Sequence, residues 1–242
     1  MWIDLIVTPL AVSEDELRDR TVVVIDVLRA STTILTALAN GAREVVPVSD
    51  MSAASRVASS LDPQTILLGG ERNGSPIEGY HLGNSPLEYQ PEVVQGKIII
   101  LNTTNGTGAI LRARLAEEVL IGAFVNLSAL VEYLRHRNPK ELILLCAGWR
   151  NRISLEDMLC AGMLLDRLEL GGRWEEVPDG VRIAHLLYRT YADRLQQVVA
   201  SSSHAARLRS LGYEADLEHA TRVDSVPVLA RYHEGVIRKI HG

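Results

Sequence analysis

Cysteine is scarce in this chain: 242 residues contain two, Cys146 and Cys160, with no metal-ligand spacing between them. A disulfide-stapled scaffold and a thiolate zinc knot are therefore excluded, and a reduced, cytoplasmic setting is expected. No His-x-x-x-His or Cys-x-x-Cys pair offers a zinc site either. Long hydrophobic runs are also missing. The longest, such as 97–101 and 142–147, fall far short of the roughly 18–20 residues that span a bilayer, so no membrane partner is expected. The first residues, Met1-Trp2-Ile3-Asp4-Leu5, lack the basic and apolar segments of a signal peptide. Positive charge is in deficit too. A formal net charge of −5 argues against a nucleic-acid partner, which would require a basic stripe. An acidic protein that binds anions needs a local remedy in helix N-termini, clustered arginines or a metal ion.

What is present is 47% hydrophobic and 23% charged, enough to bury roughly three-quarters of the unfolded surface in a chain of this length. Short β-branched runs alternate with helical stretches. Strands are predicted at 2–7, 21–27, 44–48, 65–68, 97–101, 119–123 and 141–146. Helices are predicted at 30–40, 52–61, 106–115, 128–136 and 155–168. The run TVVVIDV at 21–27 is continuously apolar up to Asp26, as a strand buried on both faces should be. The alternation predicts an α/β fold, with a largely parallel sheet between two helical layers. Residues 72–95 are rich in Gly, Pro and Asn and read as a long functional or disordered loop. Beyond residue 181 the pattern reads as mainly helical, at 181–202, 205–211, 216–220 and 226–240. Residues 1–242 are thus expected to form a single α/β domain. The helical part, 181–242, is expected to pack on it or form a small lobe.

Ligands of open α/β sheets bind outside the carboxyl ends of the strands. At those ends lie Asp26, Arg29, Ser31, Thr32 and Thr33; Glu71 and Arg72; Asn102–Thr107; Asn126; and Arg150, Arg152, Glu156 and Asp157. The Asn102–Thr107 turn opens a helix, where about four backbone N–H groups have no partner and an anion gains both donors and dipole. Thr and Asn are also ordinary N-caps, so capping and anion binding are both open readings. Asp26 in an apolar strand is costly unless paired with Arg29 or bound to a cation, and Glu71 poses the same question with Arg72 as the alternative partner. Ser154–Asp157 has the form of a capping box, which accounts for Asp157 and leaves Glu156 freer to bind metal. Three hard oxygen ligands about one site would suit Mg²⁺. Of the seven histidines, His81 in the long loop is the one of interest. His136, His185, His204, His219, His233 and His241 read as surface or packing residues away from the polar edge.

Several motifs nearly fit. Cys146 and Arg152 have the spacing of a cysteine-dependent phosphatase loop, but no histidine precedes the cysteine and Ile153 replaces the usual hydroxyl residue. Gly106-Thr-Gly108-Ala-Ile-Leu111 is an incomplete dinucleotide fingerprint. A P-loop is absent, and Leu28 stands where a haloacid-dehalogenase nucleophile loop would carry its second aspartate.

The segments Asp26–Thr33, Gly70–Arg72, Leu82–Glu88, Thr103–Thr107, Cys146–Gly148 and Ser154–Asp157 together resemble the 2-phosphosulfolactate phosphatase family, in the family's order, across about residues 20–165. Asp224–Pro227 is a weaker echo, and Tyr80-His81 departs from an expected Phe-Asp. The resemblance implies a three-layer α/β/α fold and a Mg²⁺-dependent phosphatase acting on a small anionic phosphate ester. Its reaction would convert 2-phosphosulfolactate to sulfolactate and phosphate, a step toward coenzyme M. It further implies metal ligation by Asp26, Glu71, Glu156 and Asp157, with Asp26, Glu71 and Arg29 acting in catalysis. Anion contacts are implied for Arg29, Thr32, Thr33, Asn84, Ser85, Thr103, Thr104, Asn105, Gly106 and Thr107. Arg72 and Arg150 or Arg152 are added on charge. In-line attack by water, with Mg²⁺ neutralising the phosphoryl oxygens, is the expected chemistry. A thiolate phosphatase built on Cys146 and Arg152, and a non-catalytic phospho-acid binding protein, are the rivals. A homodimer is expected by base rate.

Overall fold

The computed structural model describes residues 1–169 and 176–240, so His241 lies outside the described residues. The elements of the first half are β1 (Trp2–Ile6), β2 (Thr21–Ile25), α1 (Ala30–Ala39), β3 (Glu44–Pro47), α2 (Met51–Ser59), β4 (Ile66–Arg72), β5 (Ser75–Pro76), α3 (Pro91–Val94) and β6 (Ile98–Asn102). There follow α4 (Gly106–Arg112), β7 (Glu118–Gly122), α5 (Leu127–Arg137), β8 (Glu141–Cys146) and α6 (Leu155–Leu168). The C-terminal part comprises α7 (Asp179–Tyr191), α8 (Leu195–Ala200), α9 (Ser203–Ser210), α10 (Glu214–Ala220), β9 (Leu229–His233) and β10 (Val236–Ile240). The expected α/β alternation is present, with most of the sheet parallel and helices on both faces.

The alternation of side chains along each strand builds the layers. In β2, Val22 and Val24 join a core with Ile34, Leu35 and Leu38 of α1 and Ile110 of α4. Their neighbours Val23 and Ile25 join the opposite core, with Leu130 of α5 and Leu159 and Leu164 of α6. In β6, Ile99 and Leu101 share the α1 side, whereas Ile98 and Ile100 meet Ala54 of α2. Each such side chain, fully buried, is worth roughly 1.5–3 kcal/mol. Helix α7 lies on α6 where Gly162 permits it: a Cβ there would sit 2.1 Å from the Ala184 carbonyl oxygen.

Two expectations for the C-terminal part are corrected. The predicted helix at 181–202 is broken into α7, a 3₁₀ turn at Ala192–Arg194 and α8. The segment 226–240 is not helical at all. It forms the hairpin β9–β10, with Glu234 and Gly235 both at positive φ (48° and 86°), the backbone that two-residue hairpin turns require. Val236, Ile237 and Ile240 fall at i, i+1 and i+4, a helical spacing, and pairing with Leu229–His233 overrides it.

The hairpin is inserted in the middle of the sheet, whose order is β1-β8-β2-β7-β9-β10-β3-β6-β4-β5. It pairs with β7 only at Val119 and Leu120, and with β3 only at Val45. These contacts lie in the first halves of those strands and do not tie their carboxyl ends together. Helix α1 instead contacts α4, β3 and β7. The ends of β2 and β6 therefore meet across α1 and α4, although four strands separate them in the order.

Candidate functional site

Asp26 follows β2 directly and is 6% exposed. Its position is set from both sides: its N–H donates to the Ser31 hydroxyl at 3.0 Å, and its Oδ2 would lie 2.5 Å from any Cβ placed on Gly106. Only glycine lets the start of α4 pass so close. Burial pushes the carboxyl up to about 7; His204 pulls it back, while Glu71 and Glu156 add to the rise. Like charges disfavour ionisation here as burial does. Among the described residues no arginine pairs with Asp26, and Arg29 pairs with Asp216 instead.

Glu71, at the end of β4, occupies the Asn102–Thr107 turn. Thr104 N–H donates to its Oε1 at 2.6 Å and the Thr104 hydroxyl to its Oε2 at 2.9 Å. Gly74 N–H adds a third bond at 2.7 Å. That turn does hold an anion, and the anion is the protein's own carboxylate. Thr103 and Thr107 cap the helix reciprocally, Thr107 N–H donating to the Thr103 hydroxyl and Thr103 N–H to that of Thr107. Both are buried. Arg72 donates to the Asn102 side-chain oxygen at 2.7 Å and to the Glu71 backbone carbonyl at 3.2 Å, not to the Glu71 carboxylate.

Arg29 is buried and paired with Asp216 of α10 at 2.7 Å. Its second terminal nitrogen donates to the Gly74 carbonyl, and the guanidinium lies 4.1 Å from the Tyr213 ring centroid. Ser85 donates to the other Asp216 oxygen at 2.6 Å. The Thr32 and Thr33 hydroxyls donate to the carbonyls of Val27 and Asn84. These four residues are knit into the walls. Asn84 itself lines the pocket, and its Oδ1 is buried without a partner among the described residues.

Ser154 caps α6 by accepting from Asp157 N–H at 3.3 Å. The Asp157 oxygens in turn accept from Val27 N–H (2.9 Å) and Gly148 N–H (3.1 Å), pinning together the ends of β2 and β8. Burial, with Asp26 and Glu156 nearby, holds its carboxyl well above the usual range. Glu156 Oε1 meets His204 Nδ1 at 2.9 Å, and Oε2 is buried with no hydrogen-bond partner among the described residues. Burial alone would raise the Glu156 carboxyl, but the bond to His204 and its charge outweigh that and hold it low.

One pocket gathers these ends. Asp26, Arg29, Glu71, Asn73, Asn84, Thr104 and Asn105 line it, together with Trp149, Arg150, His204 and Arg207. His204 and Arg207 of α9 and Asp216 were not legible in sequence, because α9 is brought to the strand ends by tertiary packing. The expectation that His204 lies away from the polar edge is thereby corrected, and its ring stacks on Trp149 at 5.3 Å. His81 instead accepts from Leu68 N–H and does not line the pocket. Arg72, Arg152 and Ser85 do not line it either. Cys146 is fully buried in the core. Burial, with Asp157 and Glu156 near, drives its thiol well above its ordinary value, the reverse of what a thiolate nucleophile needs.

The donor chemistry suits a hard divalent cation. Glu71 and Glu156 each oppose the charge on Asp26, and among the described residues Glu156 Oε2 is an orphaned buried oxygen. Glu71 and Asp157 have spent their oxygens on N–H and O–H donors. Among the described residues no three His, Cys, Asp or Glu side chains form a ready-made metal cluster.

A twisted, largely parallel sheet with acids and arginines gathered at its strand ends defines an α/β enzyme for a small anionic ligand. The 2-phosphosulpholactate phosphatase family model matches residues 6–235, and the chain belongs to that family of phosphoric monoester hydrolases. A protein of Caldanaerobacter subterraneus subsp. tengcongensis is 40% identical over 228 residues, covering 94% of each chain. One of Thermotoga petrophila is 45% identical over 213 residues, covering 87% of this chain and 89% of its own. One of Clostridium tetani is 35% identical over 238 residues, covering 98% and 100%. Each is described as a probable 2-phosphosulfolactate phosphatase. Among the described residues no helix is long and apolar enough to cross a membrane.

Proposed function

We propose that this chain hydrolyses 2-phosphosulfolactate to sulfolactate and phosphate, with Mg²⁺ as its cofactor. The observation that carries the reading is a single pocket that sets Asp26, with Glu71 and Glu156 close by, against Arg150, His204 and Arg207. A substrate with a phosphate and two further acid groups needs both halves. Asp26 and the free oxygen of Glu156 would hold the cation, with Glu71 contributing negative charge from its fixed seat on Thr104 and Gly74. When bound, Mg²⁺ supplies neutralisation of the phosphoryl oxygens. The protein's own part is positioning, a large share of phosphoryl-transfer catalysis. Arg29 ties α10 to the Gly74 turn and so fixes the wall beside Asp26. Asn84 and Asn105 offer side-chain amides to a bound oxyanion. Water attacks phosphorus, the P–O bond to the sulfolactate oxygen breaks, and the proton that the water gives up ends on that leaving oxygen.

The test is phosphate release from 2-phosphosulfolactate by chelator-treated protein, before and after Mg²⁺ is returned, for wild type and Asp26→Asn. Turnover restored by Mg²⁺ and lost by at least 100-fold in Asp26→Asn is expected. Full turnover without metal removes Mg²⁺ from the reading. Tight substrate binding with no phosphate release in any condition removes catalysis.

A further inference from the structure

The basic side chains of this pocket are not equivalent. Arg29 is neutralised by Asp216 at 2.7 Å, and His204 is engaged by Glu156 at 2.9 Å. Among the described residues, Arg150 and Arg207 have no carboxylate partner. The Arg150 guanidinium lies 4.5 Å from the Trp149 ring centroid, and one nitrogen of Arg207 donates to the Asn73 carbonyl at 3.2 Å. Both line the pocket.

Arg150 also has a peculiar mount. Trp149 and Arg152 exchange backbone hydrogen bonds at 2.9 and 3.0 Å. The two residues between them, Arg150 and Asn151, both sit at positive φ (52° and 59°). That region is uncommon for residues other than glycine. Stacking on Trp149 and the closed turn limit where the guanidinium can go, so less rotamer freedom is lost when it meets a ligand. Arg207 reaches the same pocket from α9.

We propose that Arg150 and Arg207 form the subsite for the acid group of the substrate that is not hydrolysed, a sulfonate or a carboxylate. They would thereby make the enzyme selective for phosphorylated acids over phosphate esters with no second charge. The inference rests on the phosphatase reading above and assigns the acid-binding half of that pocket. Guanidinium suits both groups, because its planar fork gives paired N–H donors to two oxygens of one anion.

Two measurements test it on the full chain with Mg²⁺ present. The first compares kcat/KM for 2-phosphosulfolactate, 2-phospholactate and p-nitrophenyl phosphate in wild type, Arg150→Gln, Arg207→Gln and the double variant. The preference for the phospho-acids over p-nitrophenyl phosphate should fall at least 10-fold in each single variant. It should fall at least 30-fold in the double, through KM rather than kcat. Loss confined to 2-phosphosulfolactate identifies the bound group as the sulfonate; equal loss on both phospho-acids identifies the carboxylate. An unchanged preference in the double variant overturns the proposal. The second titrates sulfolactate itself by calorimetry, which requires no turnover. Wild-type binding weakened at least 10-fold in the double variant supports the subsite even if no ester is hydrolysed, in which case the phosphatase reading alone falls. Equal affinity, or no wild-type binding, overturns the subsite and leaves the phosphatase reading intact.

Discussion

Arg29 and Asp216, 187 residues apart in sequence, meet at 2.7 Å with both side chains 2% exposed. The pair joins the strand-to-helix turn after β2 to helix α10, and the Ser85 hydroxyl completes it. It makes the C-terminal part a component of the pocket wall.

Removing one member leaves the other charged and buried, which costs about 3–5 kcal/mol. Asp216→Ala should therefore lower the urea midpoint by that equivalent and reduce turnover. The double variant Arg29→Met with Asp216→Leu should regain much of the stability but little of the activity. Chemical denaturation beside a phosphate-release assay separates the two effects. Full activity in the double variant would contradict the positioning role of Arg29.

Gly106→Ala places a methyl group 2.4 Å from the Ala30 Cβ and 2.5 Å from Asp26 Oδ2. Something must move, and overpacking of this kind costs about 1–3 kcal/mol. Turnover should fall by more than 10-fold, with a lower melting temperature. The neighbouring Gly108→Ala, where a Cβ meets nothing within 4 Å, should have higher stability, since alanine favours a helix by about 1 kcal/mol over glycine.

Asp26→Asn should stabilise the metal-free protein at neutral pH while abolishing turnover. Burial and the carboxylates of Glu71 and Glu156 disfavour the charge, so removing it relieves a cost on the order of 1–3 kcal/mol. Melting curves in chelator at pH 7 test this. Equal or lower stability of the variant would show that the carboxylate is not under strain.

Asp224, in the weaker echo of the family pattern, holds a helix rather than a ligand. Its carboxylate accepts from Ser128 N–H and hydroxyl at the start of α5 and pairs with Arg167 of α6 at 2.8 Å. Partial burial would raise its pKa, but the bonds to Arg167 and Ser128 outweigh this and lower it below 3.8. A depressed carboxylate contributes stability that is present above its unfolded value and lost as pH falls through the folded one. Asp224→Asn should thus cost about 1 kcal/mol at pH 7 and almost nothing near pH 2. A cost independent of pH would contradict the charge-based account.

Cys146→Ala should keep turnover within about 2-fold of wild type, because the thiol is enclosed and its ionisation is opposed by burial and by Asp157. A reduced melting temperature is expected from the lost packing. Abolished turnover in a folded variant would revive the thiolate reading.

The sequence was most readable where periodicity and position coincide. Strands such as 21–25, 98–102 and 141–146 are short, apolar and followed by polar turns, so the parallel sheet and its functional edge could both be read from local pattern. Asp26 and Glu71 stood out because carboxylates in or after apolar strands are expensive. The roles of the hydroxyl residues were not readable in the same way. A threonine that caps, one that braces a carbonyl and one that grips Glu71 have the same local signature, and Thr103, Thr33 and Thr104 differ only in what the fold sets opposite them.

By itself, then, the sequence determined the sheet, the two helical layers, the strand ends that carry the acids and the membership of one enzyme family. Tertiary structure alone decided that β9 and β10 enter the middle of the sheet. It also decided that α9 and α10 bring His204, Arg207 and Asp216 to the pocket, and that the turn expected to cradle a substrate anion is filled by Glu71. The physical reason is range. Helix and strand propensities act over a few residues, whereas desolvated charges must find partners wherever the packed chain supplies them, here as far away as Asp216 is from Arg29.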